Sequence, residues 1–453
     1  LVNPLAKAYL ERIFHAAVAA VNPETLVLSV LQREGDGVSL RCGRVSATAR
    51  WDEVRNIYVV GGGKAARKMG KAAARVLGDK VTAGILAVPQ GAGGEWGPIA
   101  LFEAGYPIPD EGSREASRRI MELLSNAGEG DLVVALISGG GSSMLSAPPR
   151  GISIGEKERV LRLLLRSGAH IREVNTVRRH LSLVKGGQMA EVAHPARVWV
   201  LLLSDVPGND PADVASGPFS PDPTTYRDAL HVLARHRILP EIPASVREYL
   251  EAGAAGEVPE TLKPGAPAFD GMTAVVVATN QTALEAGAVV AKSDRAAMVR
   301  TLPGFLRGEA RKCGRAFVLE MEKVADRTSP GRTVILLAGG EMTVTVAGKG
   351  KGGRCQEFAL AASIALDGME GRGVLCGTTD GIDGITDAAG GFAYGDSCAR
   401  ARTLGISPRV HLDDNNSYAF LSMLNNLLQT GPTETNVADI AVGVIAPGMR
   451  GKR

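Results

Sequence analysis

An unbroken apolar run, Leu132-Val133-Val134-Ala135-Leu136-Ile137, leads directly into Ser138-Gly139-Gly140-Gly141-Ser142-Ser143. A short apolar run bounded by turn residues reads as a strand buried on both faces. Such a strand needs neighbours in a mainly parallel sheet with helices above and below, so the feature points to an α/β architecture. Glycines let the backbone turn sharply with its N–H groups facing inward, a nest that binds phosphate, and the serine hydroxyls add donors. A tight strand exit with no ligand is the alternative. Three glycines flanked by three serines are more polar and pliable than that exit requires.

The pattern repeats along the chain. Ile57–Val60, Ile85–Val88 and Val198–Leu203 are further candidate strands, with helices expected at 65–77, 112–126, 156–167 and 170–193. An opening helix carries Leu5, Tyr9, Ile13, Ala17 and Val21 on one stripe. Between Asp205 and Met272 lie 10 of the 24 prolines, which exclude regular sheet but admit helices at 224–236 and 243–252. The small, Gly- and Pro-bearing stretch 253–271 reads as a linker between a domain over 1–252 and a second over 272–453. In the second, strand 273–278, helix 280–292, helix 308–326, strands 333–338 and 343–347, helix 356–366 and strand 373–378 are expected.

Composition limits the function. With 453 residues, 45% hydrophobic and 22% charged, the chain is long enough for two cored domains. Aromatic residues make up 4% and net charge is +3, which argues against a nucleic-acid partner and suits a small anionic substrate. Five cysteines without Cys-x-x-Cys spacing disfavour a disulfide framework and suit a reducing cytoplasm. Glu11, Arg12 and His15 interrupt the apolar start, and no segment has 18 uninterrupted apolar residues, so a soluble protein without a membrane partner is expected.

Several motifs bear chemistry. Gly61-Gly62-Gly63-Lys64 follows a strand and opens a helix. It fits a dinucleotide fingerprint formally, but the acidic residue expected after the next strand is absent, because Pro89 follows Val88. Lys64 near a helix start is poorly placed against the dipole unless an anion sits there too. Gly348-Lys-Gly-Lys-Gly-Gly353 before Arg354 fits the same fingerprint, with Asp367 suitably spaced, but Lys349, Lys351 and Arg354 make it more cationic than a pyrophosphate cradle needs. Asn175, Arg178, Ser182 and Lys185 fall on one face of the helix expected at 170–193, either its wet side or the wall of an anion cleft. Asp205, Asp380 and Asp383 follow strands, where carboxylates can hold Mg²⁺ or orient a hydroxyl, although Asp-Gly pairs are also plain turns. No His-Glu-x-x-His or Gly-x-x-x-x-Gly-Lys-Ser/Thr motif occurs.

Taken in order and spacing, these motifs resemble the glycerate 2-kinase family (the class with a MOFRL domain, some of whose members are labelled hydroxypyruvate reductases). The resemblance covers nearly the whole chain. It is carried by Gly61–Lys64, Pro107–Glu111, Ser138–Ser143, Asn175–Gly187, Leu203–Val206, Ala215–Pro218, Gly339–Glu341, Gly352–Glu357, Thr379–Gly384, Asn415–Ser417 and Gly431–Thr433. It implies a larger Rossmann-like N-terminal domain and a smaller α/β C-terminal domain, with the active site in the cleft between them. It also implies ATP- and Mg²⁺-dependent phosphorylation of D-glycerate at its 2-hydroxyl by a monomer or homodimer. Lys64 and Arg354 match the family's charge stabilisers. Ser138–Ser143 would take nucleotide phosphates, Arg178, Lys185, Glu341 and Asn416 the substrate, and Asp205 and Asp380 the metal. The family commonly has histidine at the position of Tyr106 and asparagine at that of Cys355. A nicotinamide-dependent hydroxypyruvate reductase is the alternative activity.

Overall fold

The computed structural model describes residues 4–294, 297–329 and 331–447. Leu31–Glu34 (β1), Gly37–Cys42 (β2) and Val45–Arg50 (β3) form a small antiparallel sheet. A seven-stranded sheet follows, made of β4 (Ile57–Gly62), β5 (Val81–Val88), β6 (Gly94–Trp96), β7 (Ile99–Glu103), β8 (Leu132–Ser138), β9 (Arg197–Leu203) and β10 (Thr273–Ala278). Their order is β10-β9-β8-β4-β5-β7-β6. The pairs β4–β5, β4–β8, β5–β7 and β8–β9 are parallel, and β6 is an antiparallel edge. Every residue of β4 and β8 is buried, as their uninterrupted apolar character demands. Each fully buried Val, Leu or Ile contributes roughly 1.5–3 kcal/mol relative to an exposed one.

Parallel strands end on the same edge of a sheet. Gly62 pairs with Ile137 and Ser138 with Leu203, so the turns after β4 and β8 emerge side by side and the one after β9 emerges next to them. Helix Ala66–Leu77 follows β4. Helix Glu111–Leu124 is started by a reciprocal cap between Asp110 and Ser113. Helices Ile154–Arg166, Ile171–His180, Tyr226–Arg235 and Ala244–Ala255 gather around an apolar cluster of their own that includes Leu161, Leu164, Val177, Tyr226 and Leu250.

The second large sheet is mixed. It contains β11 (Ala297–Glu309), β12 (Thr333–Thr343), β13 (Arg372–Thr378), β14 (Gly390–Tyr394), β15 (Leu427–Leu428) and β16 (Asp439–Ile445), ordered β11-β12-β16-β13-β14-β15. Only β11 and β12 run parallel; β16 lies antiparallel between β12 and β13. Sequence periodicity missed β11, β14, β15 and β16. β11 is an exposed edge strand whose register shifts between Leu302 and Leu306, around Pro303 and Gly304. Edge exposure and a bulge remove the apolar alternation that marks a strand.

Two further expectations are corrected. No strand forms over 343–347: β12 ends at Thr343, and the following amides turn to side chains instead, as Thr345 N does to Glu309. The helix expected at 170–193 is two helices, Ile171–His180 and Gln188–Ala193. Gly186 and Gly187 between them have φ of 59° and 82°, and their amides bond to Ser216 O and Gly217 O rather than to a preceding turn. Ser182 and Lys185 therefore do not share a helical face with Asn175 and Arg178.

The chain divides into two compact units, Pro23–Val277 and Leu1–Asn22 with Ala278–Arg453. Helix Pro4–Ala20 belongs with the second: the Tyr9 hydroxyl donates to Ala291 O at 3.3 Å and the Thr435 hydroxyl to Val21 O at 2.6 Å. Ile13, Ala17 and Val21 are buried as their spacing predicts; the side chain of Leu5 lies outside the described residues. Among the described residues, no single helix is long and apolar enough to cross a membrane.

Candidate functional site

In the unit Pro23–Val277 the two glycine turns are bonded to each other. Lys64 N–H donates to Gly139 O at 2.9 Å and Ala65 N–H to Ser138 Oγ at 3.0 Å. Gly63 has φ of 129°, and any side chain there would collide with Ser138, so glycine is required for this approach. Gly140, with φ of 83°, turns the chain into a single helical turn, Gly141–Met144, which begins well before the helix at 154–166. The Lys64 side chain passes over Gly140, and its ammonium sits 4.2 Å from the centroid of the exposed Tyr106 ring. The Ser143 hydroxyl donates to Pro107 O at 2.7 Å, which ties the Tyr106–Ile108 segment to the turn.

Behind this rim stands a group of cations. Arg178, half-buried, donates from Nη1 to Asn175 Oδ1 at 2.6 Å and to Ser216 Oγ at 3.4 Å. Ser216 Oγ is also 3.1 Å from Ser142 Oγ. Lys185 is fully buried, and its ammonium donates to Leu145 O at 2.8 Å and Ala215 O at 3.3 Å. Lys157 is buried as well and reaches Ser146 Oγ at 3.1 Å. Burial, then the neighbouring Arg178 charge, pushes the Lys157 ammonium down to about 7. Burial pushes Arg178 down to about 10, with Glu158 opposing and Arg179 adding to the fall. Lys185 falls well below its usual value through burial and repulsion by Lys157 and Arg178. Cations that depress one another in a buried setting favour an arriving anion, because its charge relieves both penalties.

Ala215 and Ser216 have φ of 52° and 62°, a region that costs a non-glycine residue about 1–2 kcal/mol. The segment 185–187 holds them there: Lys185 Nζ takes Ala215 O, Gly186 N–H takes Ser216 O, and Gly187 N–H takes Gly217 O. Lys185, expected at the substrate, is thus placed as a backbone clamp, and Arg178 and the serine turn are joined through Ser216.

In the other unit, Arg354 opens helix Arg354–Ala365. Its Nε donates to buried Asp439 at 2.9 Å and its Nη1 to exposed Glu341 at 2.8 Å. Burial works against the Arg354 charge, yet Asp439 and Glu341 hold its pKa well above the usual value. Burial pushes Asp439 up to about 6 despite Arg354, and Glu341 adds to the rise. Asp383 accepts Cys355 N–H and Gln356 N–H at 3.2 and 2.8 Å, and burial pushes it up to about 7. The cationic loop Gly348–Gly353 is fixed by three consecutive residues. Asn415 Oδ1 accepts Gly348 N–H, Asp414 Oδ1 accepts Lys349 N–H, Asp414 O accepts Gly350 N–H, and Asn416 Oδ1 accepts Lys351 N–H. Cys355 is fully buried in the apolar core with Cys376, so its difference from the family's asparagine lies in core packing.

Both glycine fingerprints have amides already committed, to Gly139 O and Ser138 Oγ in the first loop and to Asp414, Asn415 and Asn416 in the second. A pyrophosphate cradle needs such amides facing the ligand. Asp380 Oδ1 accepts from Thr378 Oγ1 at 2.9 Å and Ile382 N–H at 3.1 Å, the bonding of a turn anchor. Asp205 lies two residues past β9, half-buried. Among the described residues, no three His, Cys, Asp or Glu side chains converge as metal ligands.

Sequence reasoning missed Ser216, Lys157 and Asp439. Ser216 stands in a recognisable Ala-Ser-Gly-Pro motif, but nothing local signals its left-handed backbone. Asp439 is 85 residues from Arg354.

A family model described as "Domain of unknown function (DUF4147)" matches residues 9–251, and the MOFRL family model matches residues 334–439. The chain is 40% identical to an Agrobacterium vitis protein named "Putative hydroxypyruvate reductase", over 96% of this chain and 93% of that protein. It is 37% identical to the "Glycerate 2-kinase" of Pyrococcus horikoshii, over 96% of each. Its structure is similar to the crystal structure of a glycerate kinase from Thermotoga maritima, with a TM-score of 0.80 and 37% identity, covering 98% of this chain and 100% of that one.

Proposed function

The chain belongs to the glycerate kinase family and itself matches the DUF4147 and MOFRL models, and from that premise we propose that it transfers the terminal phosphoryl group of ATP to the 2-hydroxyl of D-glycerate. The product is 2-phosphoglycerate. The observation that carries this reading is the convergence of Lys64, the Ser138–Ser143 turn and Arg178 around one polar rim, with buried Lys157 and Lys185 behind it.

Phosphoryl transfer asks little covalent chemistry of a protein; catalysis consists of positioning and of offsetting charge as it spreads over the transferring group. The turn donates hydroxyl and backbone N–H groups to nucleotide phosphates. Lys64 and Arg354 each supply a positive charge to the transferring group, and Glu341 with Asp439 fixes the plane of the Arg354 guanidinium. Asn416 contributes by holding the Lys349–Lys351 loop. Mg²⁺ arrives as the counter-ion of the nucleotide and is part of the substrate.

The name of the Agrobacterium relative favours a second reading, a reductase of hydroxypyruvate using NAD(P)H. The committed amides of both glycine loops weigh against it. One pair of assays separates the two: glycerate with MgATP should release ADP, and hydroxypyruvate with NADH should leave NADH absorbance unchanged. The reverse pattern would replace the kinase by the reductase. Phosphorus NMR of the product distinguishes 2- from 3-phosphoglycerate.

A further inference from the structure

We infer that Ser216 is a positioning residue that holds the Arg178 guanidinium and the Ser142 hydroxyl in register, so that both address one phosphoryl-type anion. Ser216 is fully buried, and its hydroxyl is the atom common to three contacts: Ser142 Oγ at 3.1 Å, Asn175 Oδ1 at 3.3 Å and Arg178 Nη1 at 3.4 Å. One hydroxyl has a single proton and two lone pairs. If Ser216 donates to Asn175 Oδ1, it accepts from Arg178 and from Ser142, and the Ser142 lone pairs then face the rim. If an anion takes the Ser142 proton instead, Ser216 can donate to Ser142. The pair can thus reorganise its protons when an anion binds without moving a heavy atom.

The backbone supports this role. Three successive residues, Ala215, Ser216 and Gly217, have φ of 52°, 62° and 67°. Strain of this kind persists only where surroundings over-determine it, and it concentrates at ligand sites. Here all three carbonyls are gripped, by Lys185, Gly186 and Gly187. The absence of a side chain at Gly141 makes room for Ala215, whose Cβ would otherwise lie 2.8 Å away. A plain turn would use glycine at the strained positions and would not need a buried ammonium. The chain on either side of Arg178 is anchored too, since Asn175 Nδ2 and Arg179 Nη2 both donate to Asp213 at 3.2 Å. The inference depends on the kinase reading only for the identity of the anion as a nucleotide phosphate.

The test is a double-mutant cycle on inorganic pyrophosphate binding, measured by calorimetry on wild type, S216A, R178A and S216A/R178A, beside steady-state kinetics with ATP and glycerate. S216A is expected to weaken pyrophosphate ~10-fold, and the double variant to lose less than the product of the two single losses, because part of the Ser216 effect runs through Arg178. KM for ATP should rise by about the same factor while kcat changes less. S142A removes the same contact from a partly exposed position and should reproduce the loss if S216A fails to fold. Pyrophosphate affinity within about twofold of wild type in S216A or S142A, losses that multiply in the double variant, or no binding to wild type would each overturn the inference. Absence of glycerate kinase turnover would remove the kinase reading and leave the pyrophosphate cycle to decide this one.

Discussion

The Lys64 ammonium lies 4.2 Å from the centroid of the Tyr106 ring, above the left-handed Gly140 of the serine turn. An aromatic face attracts a cation by ~0.5–1 kcal/mol at an exposed position, enough to bias the lysine toward the turn while leaving its charge intact. Lys64→Ala should therefore lower kcat by about 100-fold or more, the scale of losing one positioned charge at a transition state. Tyr106→Ala should raise KM only severalfold, and Tyr106→His should retain most activity. Equal losses of kcat in the lysine and tyrosine variants would show that the ring has a different role.

Arg354 meets two carboxylates through different nitrogens, one buried and one exposed. A lysine cannot reproduce that fork. Arg354→Lys should lose most of the activity that Arg354→Ala loses. Arg354→Ala should also cost ~3–5 kcal/mol of stability, because Asp439 is left buried without its partner. Adding Asp439→Asn to Arg354→Ala should restore much of the melting temperature and none of the turnover. Recovery of turnover in that double variant would remove Arg354 from the chemistry.

Asp383 is fully buried against two backbone donors, with its pKa raised from 3.8 to about 7. The folded state therefore holds this proton more tightly than the unfolded chain. Its contribution to stability is complete below pH 3.8 and is lost as pH rises through about 7. Across that window, the unfolding free energy of wild type should carry a component falling by up to ~1.4 kcal/mol per pH unit, missing from Asp383→Asn. Denaturant unfolding at several pH values measures it, and identical pH slopes in the two proteins would contradict it.

Lys157, with its pKa lowered to about 7, lies behind the serine turn. A bound anion favours the charged amine and raises that value, so pyrophosphate binding just above pH 7 should take up protons. Calorimetry in buffers of different ionisation enthalpy reads this directly. Uptake of about half a proton in wild type should disappear in Lys157→Met. Uptake unchanged by that substitution would assign the proton to another group.

Much of this protein is determined by its sequence alone. The six-residue apolar run into Ser138–Ser143 required a two-faced buried strand and a polar turn, and both are present in β8 and the residues after it. The helices expected at 65–77, 224–236 and 280–292 are present at 66–77, 226–235 and 280–292, because apolar periodicity is a local signal. Tertiary structure decided what local signals do not carry. β16 is inserted antiparallel between β12 and β13, a pairing set by long-range hydrogen bonds that no periodicity encodes. The helix expected at 170–193 stops at His180 because the following segment bonds to carbonyls of Ala215, Ser216 and Gly217. Strained φ values at 215 and 216, the burial that lowers Lys157, and the meeting of Arg354 with Asp439 arise only once distant segments pack. The serine turn was legible because a turn's residues must be its own; its cations were not, because charge is gathered by the fold.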